Sequence, residues 1–251
     1  MRAMLRYILL VVSLLVQLPL SAQQDIVVPT EEEILSNTLN TASPYYYTNL
    51  ILKYRAGNES LTAKEYYYLY YGYYFSDDYR PFTENKAFDD LVDVMSGLNP
   101  NEPTIGQLEL IVERGIAALE ADPFSPKVLN ILAYAYGALG DNTREQLYFN
   151  HLNGILGAIE HSGSGVKEDS PKHILMFSHA YDLLASQGYT YNEARIISRS
   201  VEYIPLKTKS HDGTKGFYFD YSRIYSRKPD NIVFKRDRTW QFNNLPPAEY
   251  K

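Results

Sequence analysis

Asp77 and Asp78, followed at once by Tyr79 and Arg80, are the polar residues of this chain best placed beside an aromatic patch. Two carboxylates near tyrosines could run glycoside hydrolysis, which needs an acid and a base set a fixed distance apart. Adjacent positions do not supply that separation, and turn formation is the competing role for such a pair. Just upstream lies the densest aromatic run, Tyr66, Tyr67, Tyr68, Tyr70, Tyr71, Tyr73 and Tyr74. Twelve of the 24 tyrosines fall between Tyr45 and Tyr79. On a helix Tyr66, Tyr70 and Tyr73 share one face while Tyr67, Tyr71 and Tyr74 share another. Two readings stay open. The rings fill a helical core with their hydroxyls bonded, or one face is displayed as a platform for a peptide or glycan, a role that suits a rigid amphipathic ring. The candidate binding set is therefore Tyr70, Tyr71, Tyr73, Tyr74, Asp77, Asp78, Tyr79 and Arg80.

Other chemistry is sparse. The five histidines, His151, His161, His173, His179 and His211, show no ligand spacing and read as surface or loop residues; His173 and His179 are not on one helical face. Asp89, Asp90 and Asp93 could hold a hard cation through water, but a solvated acidic face is the simpler expectation. There is no His-Glu-x-x-His, phosphate-cradling glycine loop, nucleophile elbow or EF-hand loop. With no cysteine, disulfide frameworks, thiolate metal sites and Cys nucleophiles are excluded. No catalytic residue, metal or cofactor is expected.

The elements that must position these residues follow from periodicity and caps. Thr30 with Glu33, and Thr62 with Glu65, are capping boxes that start the first and third helices. Pro44 is expected to open the second, before the Ala56-Gly57-Asn58 turn. Phe88, Leu91, Val92 and Met95 make one apolar stripe, and Leu108, Ile111, Val112, Ile116 and Leu119 another. Asp122-Pro123-Phe124-Ser125-Pro126 is a tight connection into a helix through Leu139, ended by Gly140-Asp141, and a further helix covers about 143–159. After the glycine-rich break at 161–165, Pro171 is expected to open a helix to about Gln187. The pattern then turns extended: residues 196–206 are expected to form one strand, His211-Asp212-Gly213 the turn, Phe217-Tyr218-Phe219 with Tyr221 the return, and 232–234 a third strand. The predicted class is α+β, mainly α, with a small C-terminal antiparallel β-hairpin or sheet.

Arg2 and Arg6 ahead of the apolar run at 8–20, with Leu20-Ser21-Ala22 closing it, read as a secretory signal peptide cleaved after Ala22. The run is short for a membrane span, and no later stretch approaches spanning length. The expected layout is a signal peptide over 1–22, a helical domain over 23–194, a β element over 195–235 and a tail over 236–251. Residues 195–251 carry a net charge of +6 and residues 23–194 a net of −14. Such an acidic body argues against nucleic acid as a partner.

Two resemblances add to this reading. Leu129, Leu132, Ala133, Tyr136, Gly140 and Asp141 stand at the first-helix positions of a tetratricopeptide repeat, and Phe149 at a second-helix position. Ala118 and Pro123 match the end of a preceding unit. Glu145, Gly115 and Gly157 depart from the repeat, and the likeness covers only residues within 104–158. This resembles helical-repeat packing but not a full solenoid, which needs three or more stacked units. Separately, Tyr70-Tyr71-Gly72-Tyr73-Tyr74-Phe75 with Tyr79-Arg80-Pro81-Phe82, and Tyr218-Phe219-Asp220 with Ser222-Arg223, resemble the signature of an uncharacterised family of secreted Bacteroidetes proteins. What that resemblance implies is helices followed by a short β-hairpin, in a domain of unknown function with no activity to carry over. The expected function is an exported cell-envelope protein, periplasmic or extracellular in a Gram-negative bacterium. It would be a non-enzymatic module for a protein or peptide partner; the alternative is a glycan-binding or glycan-hydrolysing protein.

Overall fold

A computed structural model describes residues 26–99 and 102–229. The expected signal peptide, the third strand at 232–234 and the tail lie outside the described residues. The helices among them are α1 (Glu31–Thr38), α2 (Tyr47–Ala56), α3 (Ala63–Gly72), α4 (Lys86–Ser96), α5 (Ile105–Ala121), α6 (Pro126–Ala138), α7 (Asn142–Glu160), α8 (Phe177–Ser186) and α9 (Ser222–Ser226), with a 3-10 turn at Tyr73–Phe75. The strands are β1 (Lys172–His173), β2 (Arg195–Ile196), β3 (Val201–Pro205) and β4 (Gly216–Asp220), in the order β1-β4-β3-β2. The fold is α+β and mainly α.

Local chemistry sets most boundaries. At α3, Thr62 Oγ1 accepts the Glu65 N–H at 3.2 Å while Glu65 Oε2 accepts the Thr62 N–H at 2.7 Å. Thr104 and Gln107 repeat the box at α5, and Thr30 caps α1. Gly57, at φ +64°, closes α2 in the left-handed conformation that glycine adopts without cost. The second helix begins at Tyr47 rather than Pro44. The N–H groups of Tyr45 and Tyr46 are taken by Ser43, by its hydroxyl and its carbonyl, so a turn comes first.

Two cores form. Helices α4, α5 and α6 pack in succession around Leu91, Leu108, Ile111, Val128 and Leu132. The other core centres on α3, which packs against α1, α2 and α7. It takes in Phe124, Ile155, Ile174, Leu175 and, from the sheet, Ile204, Phe217 and Phe219. The sheet thus shares its core with the tyrosine helix.

The expected small C-terminal sheet is present, but it is mixed rather than wholly antiparallel. β3 and β4 do pair antiparallel, Tyr203 opposite Tyr218. The single strand expected over 196–206 bends at 197–200, and β2 folds back antiparallel on β3 with Arg195 opposite Tyr203. β1 then pairs parallel with β4, Lys172 opposite Phe219, making the sheet mixed. β1 lies where a helix from Pro171 was expected. Its backbone is bound elsewhere: the Ile174 N–H donates to Asp220 O, the Leu175 N–H to Tyr70 Oη, and Leu175 O accepts from Tyr79. Lys172, buried with its ammonium pulled below its ordinary pKa by desolvation, donates to the carbonyls of Glu160 (2.9 Å) and Gly163 (3.1 Å). These bonds hold β1 on the end of α7, so helix starts only at Phe177.

Candidate functional site

One helix can bury two tyrosine faces only if it lies in the middle of a fold, and α3 does. Tyr66, Tyr67, Tyr68, Tyr70, Tyr71 and Tyr73 are buried, Tyr70 and Tyr71 completely. Their hydroxyls are satisfied. Tyr67 and Tyr68 donate to Glu33 (3.5 and 2.7 Å), Tyr71 to the carbonyls of His173 (3.0 Å) and Ala158 (3.3 Å), and Tyr73 to Asp78 O (3.0 Å). Desolvation raises all of these phenols above their ordinary pKa. Tyr79 is buried too, donating to Leu175 O at 2.7 Å. The displayed platform over Tyr70, Tyr71, Tyr73 and Tyr79 is therefore replaced by a core: α1, α2 and α7 cover the helix. Tyr74 is half-buried; its hydroxyl meets Ser226 Oγ at 3.1 Å and Arg227 lies over its ring. Asp77, Asp78 and Arg80 are exposed on the following turn, where the Asp78 N–H donates to Ser76 Oγ.

The histidines correct the sequence reading more sharply. His151 and His179 are 4% and 1% exposed, on helices rather than at the surface. His151 Nδ1 lies 2.8 Å from Tyr66 Oη and Nε2 lies 3.1 Å from Tyr54 O. A carbonyl can only accept, so Nε2 carries the proton and Nδ1 accepts from Tyr66. Burial depresses this histidine to a pKa of about 4. His179 repeats the arrangement. The Leu175 N–H donates to Tyr70 Oη, Tyr70 donates to His179 Nδ1 at 2.7 Å, and His179 Nε2 donates to Asp122 Oδ2 at 3.2 Å. A polar line thus runs from β1's connection through the tyrosine core to Asp122. His173, pushed by desolvation to about 4, sits 3.7 Å from Asp220 and 3.3 Å from Arg223 Nη1.

Asp122 opens onto a cleft of about 410 Å³ bounded by the loop around Pro81 and Asn85, the start of α6, and α8. Phe88, Met176, Phe177, Tyr181 and Tyr191 give it an aromatic and thioether lining; Asp182 and Lys127 give it charge. Asn85 is tied to its own chain, capping α4 through the Phe88 N–H and donating to Ala118 O at 2.8 Å. Asp122 is tied as well, accepting from Phe124 N–H and from His179. Asp182 differs. It faces the backbone N–H of Lys127 at the N-terminus of α6, yet its buried Oδ2 has no hydrogen-bond partner. Burial pushes its carboxyl up to about 6, with Asp122 acting in the same direction and His179 and Lys127 against it. Neither Asp77 nor Asp78 lines this cleft. Sequence reasoning missed Asp122, His179 and Asp182. The only local sign was the tight 122–126 connection, whose helix start receives Asp182.

A second cavity, about 570 Å³ and mostly apolar, lies between the start of α3 and the end of α7. Tyr67 and Tyr68 form one wall and Gly154, Gly157 and Ala158 the other, with Val27 and Glu33 at its edge. The Asp89, Asp90 and Asp93 carboxylates are exposed on α4. Among the described residues no three His, Asp or Glu side chains cluster closely enough to hold a metal ion. Among those residues, too, no helix is long and apolar enough to cross a membrane.

Fold and site define a mainly helical α+β protein in which a tyrosine helix carries a polar line to a cleft. The chain belongs to the family described as Domain of unknown function (DUF4919), whose model matches residues 32–229. No curated protein and no solved structure matches it. Both signature segments lie inside the matched span, and they meet: the Arg223 guanidinium lies over the Tyr71 ring at 5.4 Å and also donates to Pro29 O.

Proposed function

We propose that this is an exported cell-envelope protein, periplasmic or extracellular, that binds a peptide segment of a partner protein in the α4–α6–α8 cleft without catalysis. Export rests on the 1–22 leader pattern. The observation that carries the binding reading is the unpartnered Asp182 oxygen in an aromatic-lined cleft. A ligand donor there would remove a desolvation cost of about 1–3 kcal/mol. The consecutive packing of α4 to α7 supports a tetratricopeptide-like body, the kind of scaffold that presents such clefts. Acid–base catalysis needs groups free to exchange protons with a substrate. His179 and Asp122 are held by their own chain, which favours binding over hydrolysis. A glycan is the second reading, favoured by the Tyr181–Tyr191 pair, whose ring centroids lie 5.1 Å apart at the cleft. The test is photo-crosslinking in cells from position 191 in the cleft and, as control, from exposed position 52 on α2. A discrete protein adduct from 191 alone supports the reading. Identical adduct patterns from both positions would sink it, and a glycan adduct from 191 would select the second reading.

A further inference from the structure

We propose that the cleft recognises a basic side chain, the guanidinium or ammonium of an Arg or Lys in the bound peptide, seated on Asp182. This deepens the binding reading above and rests on it. Asp182 Oδ2 is buried and unpartnered, while the carboxylate's surroundings at the α6 N-terminus keep it in place through the Lys127 backbone N–H. A buried acceptor of this kind is completed by a donor, and a cationic donor makes the stronger bond. The rest of the lining suits the same group. Phe88, Phe177, Tyr181 and Tyr191 offer aromatic surface to a planar or compact cation. One aromatic of the cleft already does this: the Lys127 ammonium lies 5.3 Å from the centroid of the Phe88 ring. The Lys127 charge acts on the Asp182 carboxyl, but its ammonium makes no hydrogen bond to Oδ2, so its own cation does not fill that place. The wider charge agrees, since residues 23–194 carry a net of −14 and attract a basic segment before contact.

The groups that set the charge of the cleft are Asp122 and its partner His179, Lys127, and Asp182 itself. Asp182, with its pKa raised to about 6, is ionised at neutral pH and largely protonated at pH 5. Binding of a cation should weaken across that interval by about tenfold. An uncharged ligand would feel the change far less.

The experiment is an NMR titration of the purified protein with acetylated, amidated Ala-Ala-Xaa-Ala-Ala peptides, where Xaa is Arg, Lys, citrulline or Glu. Arg and Lys peptides should give saturable shifts with affinity about tenfold above the citrulline peptide, an isostere without the charge. Asp182→Asn keeps the shape and an acceptor for the Lys127 N–H. It should bring the Arg peptide down to the citrulline level, with the circular dichroism spectrum unchanged. The pH arm uses the unaltered protein and so does not depend on that variant folding. Equal affinity for Arg and citrulline peptides would overturn the cation assignment and leave the peptide cleft standing. Arg binding that survives both Asp182→Asn and pH 5 would overturn the role of Asp182. No saturable binding of any peptide at millimolar concentration would overturn both readings together.

Discussion

The tyrosine core around α3 and the aliphatic core between α4, α5 and α6 are both buried, yet they are built by different rules. Leu91, Leu108, Ile111, Val128 and Leu132 need only volume and shape. Tyr66, Tyr70 and Tyr73 need those and also a correct acceptor each, in His151, His179 and Asp78 O, and Tyr71 needs the His173 and Ala158 carbonyls. Volume-conserving exchanges are tolerated in the first kind of core, usually for less than about 1.5 kcal/mol. In the second, losing a hydroxyl strands its partner at a cost of about 1–3 kcal/mol per group. The difference also has a functional side. The polar line from Leu175 through Tyr70 and His179 to Asp122 reaches the cleft, whereas the α4–α6 core contributes its wall through Phe88.

The sharpest way to break this comparison is a pair of substitutions read by urea denaturation. Tyr70→Leu removes the hydroxyl that accepts from the Leu175 N–H and donates to His179. Two buried groups lose their partner, and about 4 kcal/mol of stability should go. Leu132→Met, in the aliphatic core, should cost under about 1.5 kcal/mol. Similar losses in the two variants would erase the distinction.

A pH series sharpens it next. His151 and His173 stay neutral in the fold, with pKa values of about 4 against an ordinary 6.5. Their depressed values mean the unfolded chain binds protons first. Their contribution is whole above pH 6.5 and is lost as pH falls toward 4. Asp182 has the opposite sign: its raised pKa of about 6 means that acid relieves a buried charge and returns stability. From pH 7 to pH 5 the two histidines together outweigh the one carboxyl, for a net loss of about 2 kcal/mol. Asp182→Asn abolishes the compensation, so the variant's melting temperature should fall more steeply with acid than that of the unaltered protein. Parallel melting curves for the two would show that Asp182 is not the opposing group.

What could be read in advance was whatever depends on near neighbours. Thr62 with Glu65 states a helix start in four residues, and the Phe217-Tyr218-Phe219 return strand announces its period. β1 could not be read, because two residues become a strand only through parallel pairing with β4, some 47 positions on. The buried histidines failed for the same reason: Tyr66 and His151 are 85 residues apart, Tyr70 and His179 109. Nothing local marks either histidine as the acceptor of a tyrosine. The candidate set followed aromatic density, which located the core. The cleft depends on which polar atom is left over after folding, and Asp182 becomes that atom only when α8 is laid against the start of α6.

The smallest expected effect tests the close packing of the tyrosine core at one helix turn of α7. Gly154 and Gly157 are both helical and three residues apart, where alanine is favoured over glycine by about 0.5–1 kcal/mol. A Cβ on Gly154 would stand 2.4 Å from the Tyr66 ring, and that ring is pinned by its bond to His151 Nδ1. Relief requires moving a hydrogen-bonded aromatic, so Gly154→Ala should cost about 2 kcal/mol despite the gain in propensity. A Cβ on Gly157 meets nothing within 4 Å, because that glycine faces the apolar groove. Gly157→Ala should therefore stabilise the protein by about 0.5 kcal/mol, visible as a melting temperature raised by a degree or two. If the two alanines shift stability alike, Tyr66 is not held where its bond to His151 puts it, and the tyrosine core is as forgiving as the aliphatic one.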